Sequence, residues 1–217
     1  MHFKAAIFDM DGLLLDSEKI CMQCFLTACE DVGFVADKDV YISCIGSNKQ
    51  RTKQLLIDGH RDMPYAQICQ RWDALYADRA FNQLVPLKAG VKAFLKELSA
   101  LGVPMGVATS TAYSTAKVKL ENAGLLDYFD FVIGGDQVLK SKPHPQIYLN
   151  AAQKHNLGVH ECVAFEDSEN GVLAAHAAAI SVIQIPDLVP TSAIVKDIAY
   201  QIAPSLQLLK AEDLFKI

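Results

Sequence analysis

Five short stretches of the chain are apolar at nearly every position: 3–8 (FKAAIF), 104–109 (PMGVAT), 131–134 (FVIG), 162–166 (CVAFE) and 181–185 (SVIQI). A strand with one face in water alternates apolar and polar residues, whereas a continuous run implies cover on both faces, as in a parallel sheet. Helical periodicity fills most of the intervals. In 88–101, Val91, Phe94, Leu95, Leu98 and Leu101 keep one face apolar, and Gly102 supplies a C-terminal stop. Residues 112–123 predict a helix ending at Gly124, 145–156 a helix with Pro145 in its first turn, and 168–178 an alanine-rich helix. This alternation predicts an α/β fold, an open parallel Rossmann-like sheet flanked by helices with right-handed crossovers.

One interval breaks the rhythm. Residues 9–103 separate the first strand from the second, yet the crossover needs only 88–101. Residues 17–32, 48–58 and 65–82 read as additional helices. The pattern therefore predicts an inserted α-helical domain at 16–86. The core domain is then split into 1–15, with the first strand and its loop, and 87–217. The insertion leaves from the end of the strand that carries Asp9.

Composition narrows the class. The 217 residues are 51% hydrophobic and 21% charged, values of a globular protein with a sizeable core. A formal net charge of −5 argues against non-specific nucleic-acid binding. No apolar run approaches the roughly 18 residues of a membrane span. The apolar segment at the N-terminus is too short for a signal peptide and ends in carboxylates. These features predict a cytoplasmic protein, a monomer, without nucleic-acid or membrane partners. Cysteines 21, 24, 29, 44, 69 and 162 form no compact disulfide framework. Cys21 and Cys24 make a formal CxxC, but inside a helix, where packing as small hydrophobes is the expectation.

The strand ends carry the chemistry. In a parallel sheet the C-terminal strand ends share one edge, and ligands bind in the crevice outside it. Here strand one runs into Asp9-Met10-Asp11 and strand two into Thr109-Ser110-Thr111. Gly134-Gly135-Asp136 and then Ser141-Lys142-Pro143 follow strand three, and strand four ends in Glu166-Asp167-Ser168. Clustered carboxylates are tolerable around a hard divalent cation such as Mg²⁺, which prefers oxygen ligands. Hydroxyl, lysine and loop amides suit phosphate oxygens. Metal, phosphate cradle and carboxylate nucleophile are the requirements of phosphoryl transfer through an aspartyl-phosphate, with Asp9 attacking and Asp11 moving the proton.

The stretch FDMDGLLLDSE resembles the first motif of the haloacid dehalogenase (HAD) superfamily, in its β-phosphoglucomutase-like phosphatase group. Thr109 in VATST resembles the second motif, Lys142 in SKPHP the third, and Glu166-Asp167 in AFEDSENGV the fourth. The motifs stand in the family's order over nearly the whole chain, and the helical insertion resembles the family's mobile cap. The resemblance implies that Asp9 is the nucleophile and Asp11 the general acid, then base. It further implies that Asp9, the main-chain carbonyl of Asp11 and Asp167 hold Mg²⁺, with Glu166 in or beside that shell. Thr109, the Ser110 amide and Lys142 would hold the phosphoryl group. Gln146 stands where the family usually has aspartate, Ala179 where it has glycine, and Ala89 where it has proline. The mutase also carries a histidine near Cys21 and an arginine near Lys49.

These departures favour a Mg²⁺-dependent phosphatase acting on a small phosphorylated metabolite, a sugar phosphate or nucleoside monophosphate. A phosphosugar mutase is the alternative. A non-enzymatic phosphoacceptor module is a third, disfavoured by the cap and by Asp11, and a dehalogenase leaves the acids at 11 and 167 unexplained. Substrate specificity is expected from the cap, through Lys49 and Arg51. Blander roles compete: Asp11 as a turn residue, Glu166-Asp167-Ser168 as a helix N-cap, Lys142 and Arg51 as solvated charges.

Overall fold

The computed structural model describes residues 2–47, 49–81 and 84–215. Six strands form one sheet: β1 (Ala5–Phe8), β2 (Met105–Ala108), β3 (Phe131–Ile133), β4 (Cys162–Glu166), β5 (Ser181–Gln184) and β6 (Gln201–Ile202). Their order is β3-β2-β1-β4-β5-β6, and every pairing is parallel. The five predicted strands are all present. All residues of β1, β2 and β4 are buried, which is why their sequences do not alternate.

The pleat sorts β1 between two cores. Ala6 and Phe8 enter one cluster with Phe94, Leu98 and Phe165, while Ala5 and Ile7 enter the other with Tyr148, Ala164 and Val172. Phe8 stacks on Phe165 with ring centroids 4.7 Å apart. In register, Phe8 pairs with Val107 on one side and Phe165 on the other. The C-terminal ends of β1, β2 and β4 therefore lie level, and the residues that follow them emerge together.

Helices α1 (Ser17–Asp31), α2 (Lys38–Ile42), α3 (Lys49–Gly59) and α4 (Tyr65–Phe81) occupy the interval between β1 and β2. They share a separate cluster of Phe25, Tyr41, Leu56 and Ile68. The chain enters and leaves this segment side by side: Leu15 bridges Leu87 antiparallel, and the amides of Asp16 and Lys88 donate to Pro86 and Leu14 carbonyls at 2.8 and 3.1 Å. The remaining helices are α5 (Val91–Ala100), α6 (Tyr113–Asn122), α7 (Gln146–Lys154), α8 (Glu169–Ala177), α9 (Ala193–Ile198) and α10 (Ala211–Leu214).

The four predicted core helices correspond to α5–α8, each trimmed at its ends. The predicted start of α5 moves to Val91 because Gly90 is left-handed, at φ 84°. Residues 48 and 82, at the ends of two predicted helices, lie outside the described residues. Four short elements, β6, α2, α9 and α10, have no counterpart in the sequence patterns. No helix among the described residues is long and apolar enough to cross a membrane. All six cysteines are free, and Cys24 is buried within α1 as packing predicts.

Candidate active site

The loop after β1 supplies Asp9 and Asp11, and its shape depends on Gly12. That residue is left-handed at φ 86°, and a Cβ on it would lie 2.3 Å from Asp167 Oδ2. Only glycine lets this loop lie against the loop after β4. Beyond β4, Ser168 caps α8 by accepting from the Gly171 amide at 3.1 Å, so the expected N-cap role holds beside any other.

Lys142 lies between two acids. Its Nζ donates to Asp9 Oδ1 at 2.5 Å, to Glu166 Oε1 at 2.6 Å and to the Ala108 carbonyl at 2.9 Å. Its side chain is 2% exposed, so this lysine is no solvated surface charge. Glu166 is wholly buried, and Oε1 also accepts from the Tyr148 hydroxyl at 2.5 Å. Carboxylate oxygens of Asp9, Glu166 and Asp167 all lie within 4.8 Å of one another. Three buried acids against one buried ammonium leave an excess of negative charge. Burial pushes the Asp9 carboxyl up to about 7 despite Lys142, and burial with the charges of Asp9 and Glu166 raises Asp167 well above its ordinary value. An all-oxygen donor set with uncompensated charge fits a hard divalent cation, so this cluster can hold a metal ion.

Asp11 sits in a second network. Its Oδ1 accepts from Ser17 Oγ at 2.6 Å and Lys119 Nζ at 2.5 Å, and its Oδ2 accepts from Thr111 Oγ1 at 2.7 Å. Burial alone would raise this carboxyl, but Lys119 and the hydroxyl donors hold it below its ordinary value. Asp11 is therefore more than a turn residue.

Thr109 is buried, and its hydroxyl accepts from the Thr111 amide at 3.1 Å. Asp136 stays out of the acidic cluster and accepts from the Tyr113 amide at 2.7 Å, at the start of α6. Gln146 Oε1 accepts from the Lys140 amide at 3.0 Å, so it braces the Lys142 loop without a carboxylate. Ala179 adopts the left-handed conformation, φ 58°, that glycine takes without strain.

Asp9, Asp11, Thr109, Asp136, Lys142 and Asp167 share one cavity of about 630 Å³ between the sheet edge and α1, α3 and α4. Asp9, Asp11, Thr109, Ser110, Lys142 and Asp167 line its floor. Glu18, Cys21, Ser47, Lys49, Gln50, Asp73 and Tyr76 line the opposite side. Lys49 Nζ is bound to Asp73 Oδ2 at 3.1 Å, and Cys21 is pushed up to about 12 by burial and by Glu18. Arg51 is exposed and lies outside the cavity wall. Sequence patterns do not single out Lys119, Ser17 or Tyr148. A signal for Lys119 does exist, since it falls beside Ala116 and Leu120 on the buried stripe of α6.

Comparison with known proteins identifies the family. Residues 6–185 match the family model of haloacid dehalogenase-like hydrolases. The chain is 30% identical over 177 residues to the phosphorylated carbohydrates phosphatase of Thermotoga maritima, covering 82% of each protein. It is 30% identical over 187 residues to fructose-1-phosphate phosphatase YqaB of Escherichia coli (strain K12), covering 85% of this chain and 97% of that one. The crystal structure of CbbY from Rhodobacter sphaeroides in complex with phosphate shares the fold with a TM-score of 0.78 at 24% identity, over 98% of this chain and 100% of that one. The chain therefore belongs to the haloacid dehalogenase-like hydrolases and is an enzyme of their phosphomonoester-hydrolase kind.

Proposed function

We propose that the enzyme hydrolyses the phosphate monoester of a small neutral polyol or sugar, with Asp9 as nucleophile and Asp11 as general acid and base. The observation that carries this reading is the pairing of Lys49 with Asp73 above the phosphoryl site. A second phosphate in the leaving group would have to displace Asp73 from Lys49 and lie beside that carboxylate and Glu18. The wall instead offers Glu18, Asp73, Ser47 and Gln50, which suit hydroxyl groups. Relatives named for phosphorylated carbohydrates and fructose 1-phosphate support the same substrate class.

In the first step an Asp9 oxygen bonds to phosphorus and the bond from phosphorus to the ester oxygen breaks, while Asp11, which enters this step protonated against the pull of Lys119, gives that oxygen its proton. Water then attacks the phosphorus of the acyl phosphate and passes a proton to Asp11. The bond from phosphorus to Asp9 breaks, releasing phosphate and restoring both side chains. Thr109, the Ser110 amide and Lys142 hold the transferred oxygens. Asp9, Asp167 and the Asp11 carbonyl would hold Mg²⁺ with Glu166 beside them, and the bound ion supplies positive charge against the phosphoryl oxygens. Residues 16–86 act as a cap that hinges where Leu15-Asp16 runs beside Leu87-Lys88 and excludes water when closed. A monomer in the cytoplasm completes the reading.

A screen of phosphorylated metabolites with free phosphate as readout tests it. Release from hexose or hexitol phosphates is expected. Conversion of a hexose 1-phosphate to its 6-phosphate without phosphate release would replace the phosphatase by a mutase.

A further inference from the structure

Lys119 occupies an unusual place for a lysine. It lies on α6 with a side chain 2% exposed, and an ammonium is costly to bury without partners. Its Nζ has two partners from different parts of the chain: Asp11 Oδ1 at 2.5 Å, and the Tyr76 hydroxyl of α4 at 2.7 Å. Among the described residues it is the one cation within ion-pair distance of Asp11.

Counting lone pairs on Asp11 shows what this contact does. Each carboxylate oxygen accepts two hydrogen bonds in its plane. Oδ1 already accepts two, from Ser17 and Lys119. Oδ2 accepts one, from Thr111, so a single position on Oδ2 stays available for proton exchange with the ester oxygen or with water. Without Lys119 the carboxyl keeps only two hydroxyl donors, Ser17 on Oδ1 and Thr111 on Oδ2, and each hydroxyl can rotate its hydrogen away. With the charged Lys119 on Oδ1 as well, tilting the carboxyl plane breaks an ion pair, so the oxygen beside Thr111 stays the one turned to the reaction.

We infer that Lys119 is a positioning residue that acts through Asp11 by assigning proton transfer to Oδ2, and that Tyr76 makes this assignment depend on the seating of α4 over the site. The inference rests on the reaction proposed above. It explains why a lysine interrupts the buried stripe of α6 and why Tyr76 points from the inserted helices to the core.

The test compares Lys119→Met and Tyr76→Phe with the wild-type enzyme on three esters: p-nitrophenyl phosphate, phenyl phosphate and glycerol 2-phosphate. The nitrophenolate leaves without help from an acid, whereas phenolate and alkoxide need the proton. In Lys119→Met, kcat/KM is expected to stay within about threefold for p-nitrophenyl phosphate and to fall about 10²-fold for the other two, the range of general acid-base effects. Turnover of p-nitrophenyl phosphate falls together with KM, because the acyl phosphate now waits for a poorly oriented base, and a burst of nitrophenol precedes the steady state. Tyr76→Phe is expected to show the same pattern at smaller size, and Lys119→Gln, which removes the charge but keeps a polar end for Tyr76, repeats the first arm if Lys119→Met does not fold. Equal losses on all three esters, or none, overturn the positioning role while leaving the reaction intact. A wild-type enzyme that releases phosphate from none of them overturns the reaction, and the positioning role with it.

Discussion

Gly46, in the segment joining α2 to α3, approaches Ser168 so closely that a Cβ on it would lie 2.8 Å from the serine Cβ and Oγ. Its φ is 76°, so a side chain there also strains the backbone. The contact joins the inserted helices to the loop that carries Asp167. Gly46→Ala is expected to hold the inserted helices, proposed above to act as a cap, away from the sheet edge. The predicted loss is about tenfold in kcat/KM for a sugar phosphate and less for p-nitrophenyl phosphate, whose leaving group needs little from the cap. Unchanged kinetics on both would show that this contact plays no part in closure.

Removing Lys142 should weaken the fold as well as the chemistry. Lys142→Met leaves Asp9 and Glu166 buried without their cation. Deleting one partner of a buried ion pair costs about 3–5 kcal/mol. In a protein of this size that corresponds to a fall in Tm of roughly 6–20 °C. Calorimetry reads it directly, and a Tm equal to wild type would contradict the balance of charge described for the site.

Metal binding has a readout apart from activity. If the cluster of Asp9, Glu166 and Asp167 takes Mg²⁺, the ion binds the folded state and raises Tm. At a concentration about 100 times the Kd the gain is about 2.7 kcal/mol. Asp167→Asn is expected to abolish the Mg²⁺-dependent shift, and chelator to abolish turnover. Full turnover in chelator would refute the metal assignment.

Lys49 and Arg51 should now separate. Lys49→Ala removes the partner of Asp73 from the cavity wall and is expected to lower kcat/KM about three- to tenfold, without loss of the Mg²⁺-dependent Tm shift. Arg51 is exposed and outside that wall, so Arg51→Ala is expected to stay within about twofold. Titration of initial rates against a hexitol phosphate distinguishes the two.

His155 introduces a pH dependence of stability remote from the site. Its Nε2 is buried without a hydrogen-bond partner, and its ring lies 4.7 Å from that of Phe131. Burial lowers its pKa below 6.5, outweighing the opposing pull of Asp130. The unfolded chain therefore binds a proton more readily than the folded one as pH drops through 6.5, and stability present above that value is lost toward the lower folded pKa. His155→Phe keeps the ring contact and removes the titration. The variant's Tm should fall less than wild type's between about pH 7.5 and about pH 5.5, and parallel curves would rule this contribution out.

Local sequence determined the strands and the long helices because their burial is written in nearest neighbours. The runs in β1, β2 and β4 are apolar throughout since each strand is covered on both faces. It also placed Asp9, Asp11, Thr109, Lys142, Glu166 and Asp167 at strand ends or in the loops beyond them, and parallel pairing was enough to bring those loops to one edge. Short elements such as β6 carry no such record: both of its residues are exposed, and its place comes from pairing with β5. The partners of Lys119 were likewise a matter for tertiary structure. Asp11 is 108 residues away in sequence and Tyr76 is 43, and only the packing of α4 and α6 around the sheet edge brings the three together. A lone lysine at helical spacing reads as a solvated charge until its burial is known. The ion pair of Lys49 with Asp73 on another helix, 24 residues away, is equally invisible in the sequence, which shows the cation without its partner.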